Sequence, residues 1–287
     1  MYQAYISFVR SRGRGPKTLE KYTYVLTAFI EFAKARKRSR PEAIGPADFW
    51  AFSEQMRMTD KLHRKTTRDR LIIVKQMFKW AITKARPKML RENPIENEDV
   101  PDTESSIQPC FDPDQVEMLL KMADKHHAPI YAVMAYLGLR FGEVRDLMWS
   151  DFDFNSGHFG WVTISKGGSV EDQTKGKNVR RIPVSGKLRK FLDDLPRHED
   201  GLLFHQQPSS HYPKGDRPLS ERRLLTSLKR LCKRAKFYSP QQYKLHTFRH
   251  AFASMLARSH IAYKQALAWM NGGCSSVQTR FSASLPN

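Results

Sequence analysis

Leu245-His246-Thr247-Phe248-Arg249-His250-Ala251-Phe252 places a histidine and an arginine three residues apart in a helix-forming run. At that spacing both side chains share one helical face and can point into a single site. Far upstream, Gly138-Leu139-Arg140-Phe141-Gly142-Glu143-Val144 sets a second arginine in a Gly-Leu-Arg turn after an apolar helix. A guanidinium held there needs an anionic partner, and two arginines with a histidine can grip one phosphate. Glu143 offers the plainer partner through an internal salt bridge. The expectation is that Glu143 orients the local backbone and leaves Arg140 free, although sequence does not separate the two roles.

The charge balance points the same way. Over 287 residues, 49 Lys+Arg against 29 Asp+Glu give a formal net charge of +20, which makes a polyanion the natural partner and is uncommon in an ordinary metabolic enzyme. A surface making about 6–10 phosphate contacts should lose roughly 10³–10⁵ in affinity between low and moderate salt. The three cysteines, Cys110, Cys232 and Cys274, show no pair spacing for a disulfide framework or a zinc site. His126-His127 and the His205 to His211 loop also lack metal-ligand spacing and read as surface residues. No metal or cofactor is therefore expected. No leader-like start and no run of about 18 apolar residues appears, so the expectation is a cytoplasmic protein without a membrane partner, nucleoid-associated if prokaryotic.

Hydrophobic periodicity divides the chain. Leu19, Tyr22, Val25, Leu26, Phe29, Ile30 and Phe32 recur at three- and four-residue intervals, predicting a helix from Pro16 onward. Others are predicted from near Asp48 and from about Thr66 to Lys84. Basic residues flank these stripes: Arg10, Arg12, Arg14 and Lys17, then Lys34 to Arg40, then Arg64, Lys65, Arg68 and Arg70. Three such runs in one small helical domain suit a surface that tracks a phosphate backbone. Between Pro87 and Pro113 apolar periodicity stops and Glu96, Glu98, Asp99, Asp102 and Glu104 accumulate, which reads as an extended linker.

Structure is expected to resume at Asp112-Pro113, an N-cap and first helical residue. Helices through Leu119 and through Ala132 to Tyr136 follow, stopping at Gly138. Phe159 to Ile164 and Val179 to Val184 read as strands around the Gly- and Lys-rich segment Lys166 to Lys177. Helices then run from Ser220, a cap, to Lys233, from His246, and over Ala262 to Met270. The predicted fold class is mainly α with a small antiparallel β-sheet.

On these residues the chain resembles a tyrosine recombinase of the phage integrase family. Pro16-Lys17-Thr18-Leu19-Glu20-Lys21-Tyr22 resembles that family's helical, SAM-like core-binding domain, expected over residues 1–86. A linker over 87–112 and a catalytic domain over 113–287, incomplete at its end, complete the expected organisation. Arg140 matches the first catalytic arginine, Lys175 in Thr174-Lys175-Gly176-Lys177 matches the hairpin lysine, and His246 with Arg249 match the His-x-x-Arg box. The resemblance implies site-specific recombination or integration of double-stranded DNA in a mobile element through a phosphotyrosyl intermediate, without metal. Arg140 and Arg249 would stabilise charge on the phosphorus, Lys175 would protonate the leaving oxygen, and His246 would assist proton transfer or hold the phosphate. Arg12, Arg14, Lys17, Arg64, Lys65, Arg68, Lys177, Arg180 and Arg181 are the expected DNA contacts.

The chain departs from that pattern near its end. Counted without gaps from His246, Gly272 stands where the family has a further histidine and Phe281 where it has the nucleophilic tyrosine; another register puts Cys274 at the histidine position. Phenylalanine has no oxygen with which to form a phosphate ester. Ser282 and Ser284 read as solvated, and Tyr263 as packed. The expectation is binding without cleavage, with the family's tetramer weakened by a short tail. The alternative is a non-catalytic DNA-binding protein or transcription regulator derived from a recombinase. An unrelated helical regulator would share the charge but not the phosphate set, and no aromatic-rich RNA motif is present.

Overall fold

In the computed structural model, which describes residues 1–103, 108–165, 179–208, 213, 215, 217–259 and 261–271, the chain divides into two units, Met1–Ser106 and Ile107–Asn287. The first is helical: α1 (Tyr2–Ser11), α2 (Pro16–Ala35), α3 (Pro46–Glu54) and α4 (Arg64–Thr83). Val25, Leu26, Phe29 and Ala33 form the buried face of α2, and Leu71, Val74, Met77, Phe78 and Ala81 that of α4. These faces meet in an aromatic core where Phe29 packs edge-on against Phe52 at 5.1 Å and Phe78 at 6.2 Å. Truncating a fully buried ring of this kind costs about 3–5 kcal/mol. At the start of α3, buried Asp48 accepts from Arg36 Nε and Arg38 Nε, each at 3.0 Å, and from Gly45 N at 3.2 Å.

The stretch expected to be an extended linker instead packs against this unit over its first part. Leu90 and Ile95 are buried in the same core. Arg68 Nη1 donates to Pro101 O at 3.0 Å, Lys75 Nζ donates to the carbonyls of Glu96 and Glu98, and Trp50 Nε1 donates to a Glu98 carboxylate oxygen. Two apolar anchors are too few to produce a periodic signal, yet enough to hold a chain whose carbonyls meet donors on α4.

In the second unit, α5 (Pro113–Met122) begins as expected: Asp112 accepts from Gln115 N at 2.8 Å, with Pro113 in the first turn. Next, α6 (His127–Leu137) is buried from Ala128 through Ala135 and again at Leu137, the signature of a helix packed on all sides. A short helix α7 (Phe141–Arg145) and strands β1 (Phe152–Asp153), β2 (Trp161–Ile164) and β3 (Arg180–Pro183) follow. The strands form an antiparallel sheet in the order β1-β2-β3, with Val162 opposite both Phe152 and Ile182. Then come α8 (Gly186–Asp193), α9 (Glu221–Arg234), α10 (His246–Arg258) and α11 (Tyr263–Asn271). Ser220 occupies the cap position of α9, but its side chain makes no capping bond; its N–H donates to Gln206 Oε1 at 2.9 Å. The fold class expected from the sequence is the one observed.

Candidate active site

The site is assembled at four helix ends and one strand. Gly138 stops α6 in the left-handed region at φ +60°, and a Cβ there would stand 2.2 Å from the Phe252 ring on α10. Only glycine meets both demands, so α6 and α10 approach closely and the chain turns at once through buried Leu139 into Arg140. Arg140 is extended and directly precedes α7. Three residues on, Glu143 reaches back so that its Oε2 accepts from Arg140 N at 2.7 Å, a carboxylate closing the first turn of a helix. Its Oε1 lies 3.3 Å from Arg140 Nη1. Glu143 therefore orients the backbone and also touches the guanidinium, whose side chain remains 40% exposed.

Arg180 makes the closest side-chain contact with Glu143. It leaves β3 inward, 3% exposed, and its Nη2 donates to Glu143 Oε2 at 2.7 Å. This differs from the expectation that Arg180 lies on a DNA-contacting surface; strand alternation places it on the buried side with Ile182. Arg181 points the other way, partly exposed, with its guanidinium 5.3 Å from the Trp161 ring centre and Nη2 3.3 Å from Asp153 Oδ2.

Arg249 lies one turn into α10 and is 4% exposed. Its Nη1 donates to Gly138 O at 2.6 Å, and its Nη2 to Met270 O at 2.5 Å and Asn271 Oδ1 at 3.0 Å. One guanidinium thus ties the end of α6 to the end of α11 through neutral acceptors that leave its charge uncancelled. Burial, with the nearby charge of Arg140, pulls its pKa down to about 10. Burial pushes the Glu143 carboxyl up, but the Arg180 hydrogen bond and charge, with the Arg140 N–H, outweigh this and hold it below the usual carboxylate range.

His246 opens α10, its ring 4.9 Å from that of His250 in an edge-on arrangement. Partial burial lowers its pKa, aided by the positive fields of His250, Arg249 and Arg140. Arg140 lies near enough to His246 and to Arg249, 109 positions further along the chain, for its charge to act on both. Two guanidiniums bond the Glu143 carboxylate and its field reaches a third, that of Arg249, so these four side chains together carry a net positive charge.

Lys175, Lys177, Gly272, Cys274, Phe281, Ser282, Ser284 and the Tyr263 side chain lie outside the described residues. Arg12, Arg14, Lys17, Arg64 and Lys65 are exposed on the first unit, while Arg68 is partly covered by its bond to Pro101. His127 and His205, expected at the surface, are mostly buried and paired with Asp124 at 2.8 Å and Asp200 at 2.7 Å. No described helix is long and apolar enough to cross a membrane. Sequence reasoning missed the Arg180–Glu143 pair and the His250 contact. Alternation along β3 signalled the first, whereas a neighbour at i+4 on a helix carries no comparable signal.

A fold of this kind around a cationic cluster defines a class, and the sequence profiles agree with it. The profile described as "Phage integrase family" matches residues 109–272, and that described as "Phage integrase, N-terminal SAM-like domain" matches residues 1–86. The chain belongs to the phage integrase family. Its fold is similar to that of the Tn1549 transposon integrase in complex with a circular intermediate DNA, with a TM-score of 0.73 at 19% identity, covering 94% of this chain and 90% of that one. It is also similar to a lambda integrase dimer bound to a COC′ core site, with a TM-score of 0.67 at 16% identity, covering 99% and 98% of the two chains. For a lambda integrase tetramer bound to a Holliday junction the TM-score is 0.67 at 16% identity, covering 96% and 77%. None of the curated proteins compared with the chain matches it in sequence.

Proposed function

We propose that this chain binds duplex DNA at specific sites as a recombinase of its family, holds one backbone phosphate beside Arg140, Arg249 and His246, and does not cleave it. The observation that carries this reading is the positive charge gathered at Glu143: partly exposed Arg140 and buried Arg180 both bond it, and the charges of both reach buried Arg249. An uncompensated cluster of this kind is costly unless an anion completes it. A DNA phosphate supplies that anion, as the DNA complexes of the structurally similar integrases of Tn1549 and lambda accord with.

Each residue then has a task. Arg140 presents donors to a nonbridging oxygen, and Arg249 adds charge at short range while fixing the α6 and α11 ends around the site. Well-placed donors of this kind each contribute about 10²–10³ to the rate of the chemical step in enzymes. His246, whose charged form is disfavoured by partial burial and by the neighbouring positive charges, can donate a hydrogen bond or accept a proton. Lys175 is proposed as the acid for the 5′ leaving oxygen. Phe281, at the nucleophile position by ungapped count, has a ring but no hydroxyl, so the phosphate is bound and not attacked.

A nicked suicide substrate carrying the duplex that the chain selects from a random pool tests this. The expected outcome is retention of the duplex with no covalent adduct on a denaturing gel. An adduct formed by the unaltered chain overturns the non-cleaving part. Selected sites should be inverted pairs of half-sites, since paired protomers impose that symmetry; a single promoter-like site favours the regulator reading.

A further inference from the structure

We infer that Arg180 is a positioning residue for phosphate binding, acting on Arg140 through the shared carboxylate of Glu143. The inference rests on the phosphate-binding reading above and adds a residue to it. Arg180 and Arg140 are 40 positions apart, on β3 and before α7, and both bond Glu143. The geometry is unequal. Arg180 Nη2 and the Arg140 main-chain N–H share Oε2, each at 2.7 Å, while the Arg140 guanidinium has only the longer 3.3 Å approach to Oε1. Arg180 is fully enclosed and Arg140 is 40% exposed.

Two consequences follow from this inequality. Arg180 pins the carboxylate, which in turn fixes the backbone from which Arg140 springs. It also supplies the stronger counter-charge, so Glu143 does not draw the Arg140 guanidinium into a tight internal pair. A lone Glu143 facing Arg140 would close the shorter, two-point bond that carboxylates and guanidiniums favour, and would cancel the charge meant for phosphate. A second cation on the same carboxylate leaves Arg140 oriented and available. Were the pair merely structural, it would be poor value, because buried ion pairs add little net stability over apolar packing.

The test is a double-mutant cycle on the affinity of the full chain for a fluorescein-labelled duplex selected from a random pool, read by anisotropy. Arg140→Ala is expected to weaken binding about tenfold, as loss of a charge-assisted contact does. Arg180→Met is expected to weaken it nearly as much, Arg180→Lys to recover most of the loss, and Arg180→Met added to Arg140→Ala to cost nothing more. Losses that multiply in the double variant, or an Arg180→Met variant that binds like the parent, overturn the inference. Should thermal melting show Arg180→Met unfolded, Arg180→Lys decides instead: a few-fold loss in the parent and none beside Arg140→Ala supports the role, and equal loss in both backgrounds overturns it. An Arg140→Ala variant with parental affinity overturns the phosphate reading itself.

Discussion

Each unit contains a buried carboxylate shared by two arginines and one backbone N–H, yet the two clusters do different work. In the first, Asp48, 2% exposed, accepts from Arg36, Arg38 and Gly45 N within a span of 12 residues. In the second, Glu143, 7% exposed, accepts from Arg140, its main-chain N–H and Arg180 on a distant strand. Among the described residues, Asp48 pairs with two half-exposed arginines, whereas Glu143 holds buried Arg180 and its field reaches buried Arg249. A carboxylate clamp alone closes a loop; in the function proposed above, the same clamp beside the Arg249 guanidinium serves as a receptor for an anion.

The comparison breaks most sharply at Arg249. Arg249→Met removes a 4%-exposed cation and leaves the Gly138 and Met270 carbonyls without their donor. It should lower stability by about 3 kcal/mol and abolish the phosphate contribution to binding, measured by melting and by anisotropy below the melting point. Next in size, Gly138→Ala should cost about 2 kcal/mol or more, since it combines a positive φ with a Cβ driven into Phe252. A normal melting temperature for that variant would contradict the close α6–α10 approach.

A smaller effect separates the two clamps. Asp48→Asn should lower stability by about 1–2 kcal/mol and change duplex affinity per folded molecule little, because its arginines are half-exposed and keep their charges. Glu143→Gln should alter affinity as well as melting. If Asp48→Asn weakened DNA binding as much as Glu143→Gln, the distinction between a loop clamp and a receptor would fall.

Smallest is the pH response, whose direction follows from which form each fold favours. Asp48 and Glu143 have lowered pKa values, so their contribution is complete above their ordinary values of 3.8 and 4.5 and is lost as pH falls through the folded ones. His246 is also lowered, from 6.5, so the unfolded chain takes up its proton first and stability declines slightly as pH falls through that value. Stability should therefore dip gently below about pH 6.5 and steeply below about 4.5. His246→Asn should diminish the gentle step in a melting series, leaving the part contributed by His126, which burial lowers in the same way.

How much of this was legible in the sequence depends on how locally each feature is encoded. Helices α2, α4 and α6 show in their apolar stripes, α5 in Asp112-Pro113, and the end of α6 in Gly138, because each signal sits within a few residues. Helix α1 went unread because no side chain caps it, and α8 because it buries only Leu188 and Leu192. Strand β1, two residues long, exists through its pairing with β2. At the site, residue type and local setting single out Arg140 in its Gly-Leu-Arg turn and His246 with Arg249 on one helical face, each signal lying within a few residues. Arg180, expected among the DNA contacts, points inward: alternation with Ile182 along β3 signals its face, but its partner is 37 residues away and shows only in the tertiary packing.

The measurement that bears most directly on the account is a crystal structure of the chain with the duplex it selects. The account predicts one backbone phosphate within about 3 Å of the Arg140 guanidinium, beside Arg249 and His246, with Glu143 still bonded to Arg180. A duplex bound elsewhere, with Arg140 facing solvent or folded fully onto Glu143, would contradict it.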